Sequence, residues 1–155
     1  MRNLLLGTTV RLTAIRDGDL PAMEKWFNDV AFMRHYDMVP AVPKNLNGVK
    51  DVIDHYSTSG ESCVFALRPH GSDEIIGVAG FDEIVWCNGT ATVFIGIGDE
   101  EYRGRGLGKE SMELLLDFGF SELNFHKIQL NVIAYNEPAI RLYEGAGFMH
   151  EGTYQ

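Results

Sequence analysis

The stretch Arg103-Gly104-Arg105-Gly106-Leu107-Gly108 constrains this chain more than any other. The run before it, residues 90–98 (TATVFIGIG), is β-branched and apolar and reads as a strand. The run after it, residues 109–118 (KESMELLLDF), brings Met112, Leu115 and Leu116 near one face at helical spacing, with Phe118 and Gly119 beside them. Strand, glycine loop and helix together form a cradle for phosphate. The glycines let backbone N–H groups approach an anion, and the helix start adds unpaired donors and a positive dipole end. Arg103, Arg105 and Lys109 add mobile positive charge at the same place, in a chain whose formal net charge is −9.

The loop taken alone leaves two readings open. Its glycines do not follow the G-x-G-x-x-G of a dinucleotide fold, and no G-K-[ST] follows as in a nucleotide-triphosphate loop. A tight βα turn with surface arginines is the plainer alternative.

Composition narrows the classes. A chain of 155 residues with 45% hydrophobic and 23% charged residues reads as one globular domain, residues 1–155, with a real core. No apolar run approaches the roughly 20 residues that span a membrane, and the apolar part of Met1 to Gly7 is too short for a signal peptide. The expected compartment is the cytoplasm, with no membrane partner. Cys63 and Cys87 are too few for a disulfide framework and are expected as buried free thiols in strands. His35, His55, His70, His126 and His150 show no metal-ligand spacing, so no metal site is expected. The acidic balance argues against nucleic acid, which calls for a basic face. It suits a cationic substrate such as a polyamine or a basic peptide, although solubility alone accounts for it as well.

Along the chain, residues 8–14 read as a first strand with Val10 and Leu12 inward. Asp17 or Asp19 is expected to cap a helix that buries Leu20, Met23, Trp26, Phe27 and Val30. Residues 31–44, with Pro40 and Pro43, read as irregular. Asn45 is the expected cap of a second helix with Leu46, Val49, Ile53 and Tyr56 on one face. Strands follow at 62–67 and 74–86, then a turn at Cys87-Asn88-Gly89 and the strand 90–98. A helix over 106–123, a strand over 127–133, a helix over 136–145 and the start of a strand from Gly147 complete the pattern.

The segment 136–148 (NEPAIRLYEGAGF) follows the strand-like 128–133. The glycine loop, then Asn136, then Tyr143 seven positions later and Gly147-Phe148 closely resemble the GNAT N-acetyltransferase family. The resemblance is to its RimJ/RimL-like branch of protein N-terminal and spermidine acetyltransferases, and it covers nearly the whole chain. It implies an α/β (α+β) fold of three layers, α/β/α, around a mixed, mostly antiparallel sheet. It implies acetyl-CoA as cosubstrate and a small-molecule or peptide primary amine as acceptor. It places the pyrophosphate on the backbone of Arg103, Gly104, Arg105, Gly106, Leu107 and Gly108, with Lys109 beside it. It gives the pantetheine arm to Gly96, Ile97 and Gly98 on the splayed fourth strand, and to Asn136, which also suits a helix N-cap. It makes Tyr143 the general acid, since a phenol with an ordinary pKa near 10 is protonated at neutral pH.

The base stays open. The glutamate that many relatives carry on the fifth strand is Asn131 here, and asparagine cannot take up a proton at neutral pH. The branch's glutamate early in the fourth strand is Thr92. Asp82, Glu83, His126 or a water chain remain. These substitutions keep a non-catalytic acyl-CoA-binding regulatory module as the alternative, and a nucleotide-binding protein ranks behind both. The resemblance also implies one further antiparallel strand after the one begun at Gly147. An unpaired edge there predicts a homodimer or a longer native C-terminus.

Overall fold

The computed structural model describes residues 3–30, 32, 43–103 and 105–130. Its elements are β1 (Val10–Thr13), α1 (Leu20–Phe27), α2 (Leu46–Thr58), β2 (Cys63–Pro69), β3 (Gly77–Val85), β4 (Thr90–Ile97), α3 (Leu107–Ser121) and β5 (Lys127–Gln129). The five strands lie in chain order in one sheet. β1 to β4 are antiparallel neighbours, and β5 joins β4 in parallel after the α3 crossover. Helices cover both faces, which is the expected three-layer mixed sheet. The expected strand end at Ile133, the helix from Asn136 and the strand from Gly147 lie outside the described residues.

Alternation along the strands, broken in β3 only past Asp82, sorts the core into two halves. Val10, Leu12, Leu67, Ala79, Phe81, Val93 and Ile95 turn toward Met112, Leu115 and Phe125 on the α3 side. Ala66, Val78 and Phe94 turn toward Met23, Phe27, Val49 and Ile53 on the α1–α2 side. Asn45 caps α2 as its position predicts, its side chain accepting from the Gly48 N–H at 2.8 Å. Val49, Ile53 and Tyr56 are buried, whereas Leu46 at the helix start is exposed.

Three expectations are corrected here. Asp19 makes no side-chain cap to α1. Its carboxylate accepts from the Arg16 N–H and from Arg68, closing the turn that precedes the helix. Val30 is exposed, because α1 ends at Phe27 before the spacing reaches it. Cys63 is half-buried and Cys87 is exposed, because residue 87 belongs to the turn rather than to the strand.

Arg68 is fully buried in β2. It grips Asp19 through two bonds of 2.6 and 2.8 Å and donates to Thr13 Oγ1 and to the carbonyls of Ala14 and Asp73. A buried guanidinium is tolerable only when its donors are satisfied in this way. The network ties the end of β1, the entry to α1 and the turn after β2 into one unit.

Candidate active site

The start of α3 is shaped for an anion. Gly106 precedes it with φ of 78°, in the left-handed region where a side chain is strained. Its carbonyl accepts from the Glu110 N–H at 3.2 Å. The N–H groups of Leu107, Gly108 and Lys109 therefore precede the first helical bond and point out of the helix end. A Cβ on Gly106 would meet nothing within 4 Å, so the space in front is open. Glu110, the acidic residue of the first turn, is drawn away. Its Oε1 accepts from the Thr9 and Val10 N–H groups at 2.8 and 3.0 Å. Arg105 and Lys109 are exposed, and the Arg105 guanidinium lies 5.2 Å from the Tyr102 ring centre. Backbone donors, a positive dipole end and two exposed cations fit a diphosphate. Gly104 lies outside the described residues.

Arg103 departs from the expected mobile charge. Its Nε donates to the Ile97 carbonyl at 2.9 Å and its Nη2 to the Gly98 carbonyl at 3.4 Å, with Glu100 at 4.0 Å. The last carbonyls of β4 hold it in place. The loop also does not follow β4 directly. A 3-10 turn, Glu100–Tyr102, intervenes and is capped by Asp99.

The three backbone candidates on β4 do not face the same way. The Gly98 N–H donates to the Ile76 carbonyl at 2.9 Å, and the Lys127 N–H donates to the Gly89 carbonyl at 3.2 Å. Backbone groups alternate sides along a strand, so both bonds give one phase. Gly96 and Gly98 turn toward β3, and Val93, Ile95 and Ile97 turn toward the β5 side. The expectation that Gly96 and Gly98 offer their N–H groups to a pantetheine arm is corrected on this geometry, while the Ile97 N–H lies on the β5 side. Gly98 is glycine for a packing reason as well, since a Cβ there would run into the Trp26 indole.

A second polar cluster sits at the other end of β4, on the α1–α2 face. Thr92 pairs with Asp82 on β3 and with Gln129 on β5, the last pair of the β4–β5 ladder among the described residues. The ladder between β3 and β4 slips between Asp82 and Val85. Glu83, at the slip, has φ of 49°. Thr92 Oγ1 donates to Glu83 Oε2 at 3.2 Å and accepts from Gln129 Nε2 at 3.5 Å. The Tyr56 hydroxyl donates to Asp82 Oδ2 at 3.5 Å. Burial, followed by the nearby carboxylates of Asp82 and Glu83, pushes the Tyr56 phenol up to about 12. It therefore stays a donor. A surface groove of about 550 Å³ opens beside this cluster, lined by Glu61, Glu83, Ile84, Val85, Trp86 and Cys87.

The other candidates sort quickly. His126 is exposed beside the Gly89 turn, where its N–H donates to the Gly89 carbonyl at 2.7 Å. Burial raises the Cys63 thiol and the Phe81 backbone offsets this in part, so Cys63 is a poor nucleophile. Asn131, Asn136 and Tyr143 lie outside the described residues. Among the described residues, no group of three His, Cys, Asp or Glu is placed to hold a metal, and no helix is long and apolar enough to cross a membrane. Sequence reasoning missed Tyr56 and Gln129. Tyr56 read as a plain core aromatic, and nothing in its local sequence signals the hydroxyl's partner.

Comparison with known proteins agrees with the layout. Residues 9–149 match the family described as the acetyltransferase (GNAT) domain. An uncharacterized N-acetyltransferase, p20 of Bacillus licheniformis, is 27% identical over 145 residues, covering 93% of this chain and 80% of that protein. A spermidine N-acetyltransferase from Vibrio cholerae, solved in complex with CoA and spermine, superposes with a TM-score of 0.81 at 26% identity over 92% of this chain and 82% of that one. RimL, a ribosomal-protein alpha-N-acetyltransferase solved with coenzyme A, superposes with a TM-score of 0.82 over 94% of this chain and 83% of that one. At 17% identity it speaks for the fold alone.

Proposed function

Because the chain belongs to the GNAT acetyltransferase family, we propose that it acetylates a primary amine of a small polycation of the polyamine class. It is an acetyl-CoA-dependent N-acetyltransferase of the RimJ/RimL-like branch. The observation that carries the acceptor class is the lining of the groove beside Thr92. The carboxylates of Glu61 and Glu83 and the exposed indole of Trp86 attract ammonium groups by charge and by the ring face. The spermine-bound relative supports the same class.

Bound acetyl-CoA supplies an activated acetyl thioester. The N–H groups of Leu107, Gly108 and Lys109, with Arg105 and Lys109, hold its pyrophosphate. Ile97 offers its N–H on the β5 side of β4, along the track toward Thr92. Asn136 orients the pantetheine arm, and Tyr143 gives a proton to the departing sulfur. Replacing Tyr143 by Phe is expected to lower turnover about 100-fold while leaving acetyl-CoA affinity unchanged. Turnover within twofold of the parent removes Tyr143 from the chemistry.

The acceptor is tested by thiol release from acetyl-CoA over a panel of polyamines, monoamines and amino-terminal peptides, with products read by mass spectrometry. Polyamines are expected to give the highest kcat/KM. Turnover confined to peptides overturns the polyamine reading. No turnover with any amine, alongside tight CoA binding, favours the regulatory-module alternative.

A further inference from the structure

We propose that Glu83 is the catalytic base of the acetyl transfer, the group that removes the proton from the acceptor's ammonium. The inference rests on the acetyl-transfer reading above and adds a residue to it. An alkylammonium has no lone pair, and an aliphatic amine is mostly protonated near neutral pH, as the lysine reference value near 10.4 indicates. One proton must leave before nitrogen can attack, and a carboxylate within reach is the simplest acceptor.

The geometry singles out Glu83 by the direction its side chain takes. Ala79 and Phe81, the odd-numbered residues of β3, face the apolar α3 side. A regular strand would send residue 83 the same way. The ladder instead passes from the pair Asp82–Thr92 to the pair Val85–Thr90, three steps on β3 against two on β4. One residue is therefore extra, and a bulge re-aims the side chain beside it. Ile84 takes the inward place on the α3 side, and Glu83 swings to the face of Thr92. Its carboxylate is thus delivered across the ladder to Thr92, the last β4 residue paired with β5 among the described residues. From that residue onward, Val93, Ile95 and Ile97 turn their backbone groups to the β5 side.

The charged and titratable groups around this point are Asp82, Tyr56, Glu61 and Lys127. Asp82 accepts from the Tyr56 hydroxyl of α2 and, at 2.8 Å, from the N–H of Glu83. Tyr56 is held protonated. Glu61 shares the groove lining from the α2–β2 turn, its backbone carbonyl accepting from the Ile84 N–H, while the carboxylate that Thr92 meets is that of Glu83. Lys127 stands two residues before Gln129 on β5 and pairs with Thr90. Glu83 is exposed, so an incoming ammonium reaches it directly.

The step balances. One ammonium proton passes to the Glu83 carboxylate and from there to water. The freed nitrogen lone pair forms the C–N bond to the acetyl carbon while the C–S bond breaks. Sulfur takes the proton of Tyr143, and the second proton leaving nitrogen restores that hydroxyl. The products are the acetylated amine, free CoA thiol and one proton.

The test is Glu83→Gln, which keeps the shape and an oxygen for Thr92 but cannot take up a proton. With the best amine of the panel, kcat is expected to fall about 100-fold, with the KM for acetyl-CoA unchanged. The variant then depends on amine already deprotonated in solution, so its deficit against the parent should shrink as pH rises toward the amine's own range. An unchanged melting temperature shows that the fold is kept. A kcat within threefold of the parent, or a loss confined to the KM for the amine, overturns the assignment. In the latter case Glu83 only attracts the ammonium. Absence of turnover by the parent itself overturns the acetyl-transfer reading, and this one with it.

Discussion

On the α3 face of the sheet, Phe81, Val93 and Ile95 meet Met112, Leu115 and Phe125 in an apolar layer, and the buried Ser111 hydroxyl beside it is spent on the Leu107 carbonyl within α3. On the α1–α2 face, Val78, Phe94 and Ile53 form a similar layer, but polar groups interrupt it at both ends. Arg68 and Asp19 lie at one end, and Tyr56, Asp82, Glu83 and Thr92 at the other. The buried charged residues among those described, Arg68 and Asp19, both belong to this second side. The contrast teaches how one sheet serves two needs. The α3 face packs β3, β4 and β5, already joined by their ladders, with apolar side chains. The other face carries the polar groups, Arg68 with Asp19 at one end and Tyr56, Asp82, Glu83 and Thr92 at the other.

The comparison can be broken at its strongest point first. Phe81 is fully buried, with its ring 5.2 Å from that of Phe125. Phe81→Ala is expected to cost about 3–5 kcal/mol in urea unfolding. A loss under 1 kcal/mol would mean that the apolar face is not what holds the strands. On the opposite side, Asp19→Asn leaves the Arg68 guanidinium buried without its carboxylate, and a loss of about 3 kcal/mol is expected. The two variants should also differ in their response to acid. Burial alone would raise the Asp19 carboxyl, but the Arg68 bonds, the Arg16 N–H and both positive charges outweigh it and lower it below the ordinary 3.8. A carboxylate lowered in the folded state contributes fully above the ordinary value. That contribution is lost as pH falls through the lower, folded value. Parent and Phe81→Ala should therefore share an acid-dependent decline that Asp19→Asn lacks. Parallel stability curves for all three would show that the ion pair does not set the acid limit.

Much of this was readable from residue order. The Asn45 cap, the buried face of α2 at Val49, Ile53 and Tyr56, and the glycine-led start of α3 all rest on local spacing, and local spacing is what a sequence displays. Arg68 was not readable. An arginine at the end of a strand reads as solvent-facing, and it is buried only because Asp19 arrives from 49 residues upstream. The lone charge after the apolar run 63–67 was the available hint. Arg103 read as free charge because its partners are carbonyls, which every residue carries. The facing of Gly96 and Gly98 depends on ladder phase, which two hydrogen bonds fix and composition does not. The slip at Glu83 was hidden for the same reason. The run 74–86 shows no break in its pattern, while the strand itself spans Gly77–Val85 and carries one residue more than its partner needs.

That extra residue can be viewed as a single-codon insertion. In a regular hairpin, changing a side chain's face requires shifting the whole strand, which would turn every neighbour over as well. An inserted codon at the bulge moves one residue to the other face and leaves Phe81 before it and Ile84 after it on the same side. The hairpin thereby offers a mutational route that ordinary substitution does not. A carboxylate can be added to or withdrawn from the α1–α2 face by lengthening or shortening β3 by one, with Phe81 and Ile84 kept on the α3 side. A chain with the insertion and one without it would differ at this one place, and an alignment that forces equal hairpin lengths would misplace the residue that meets Thr92.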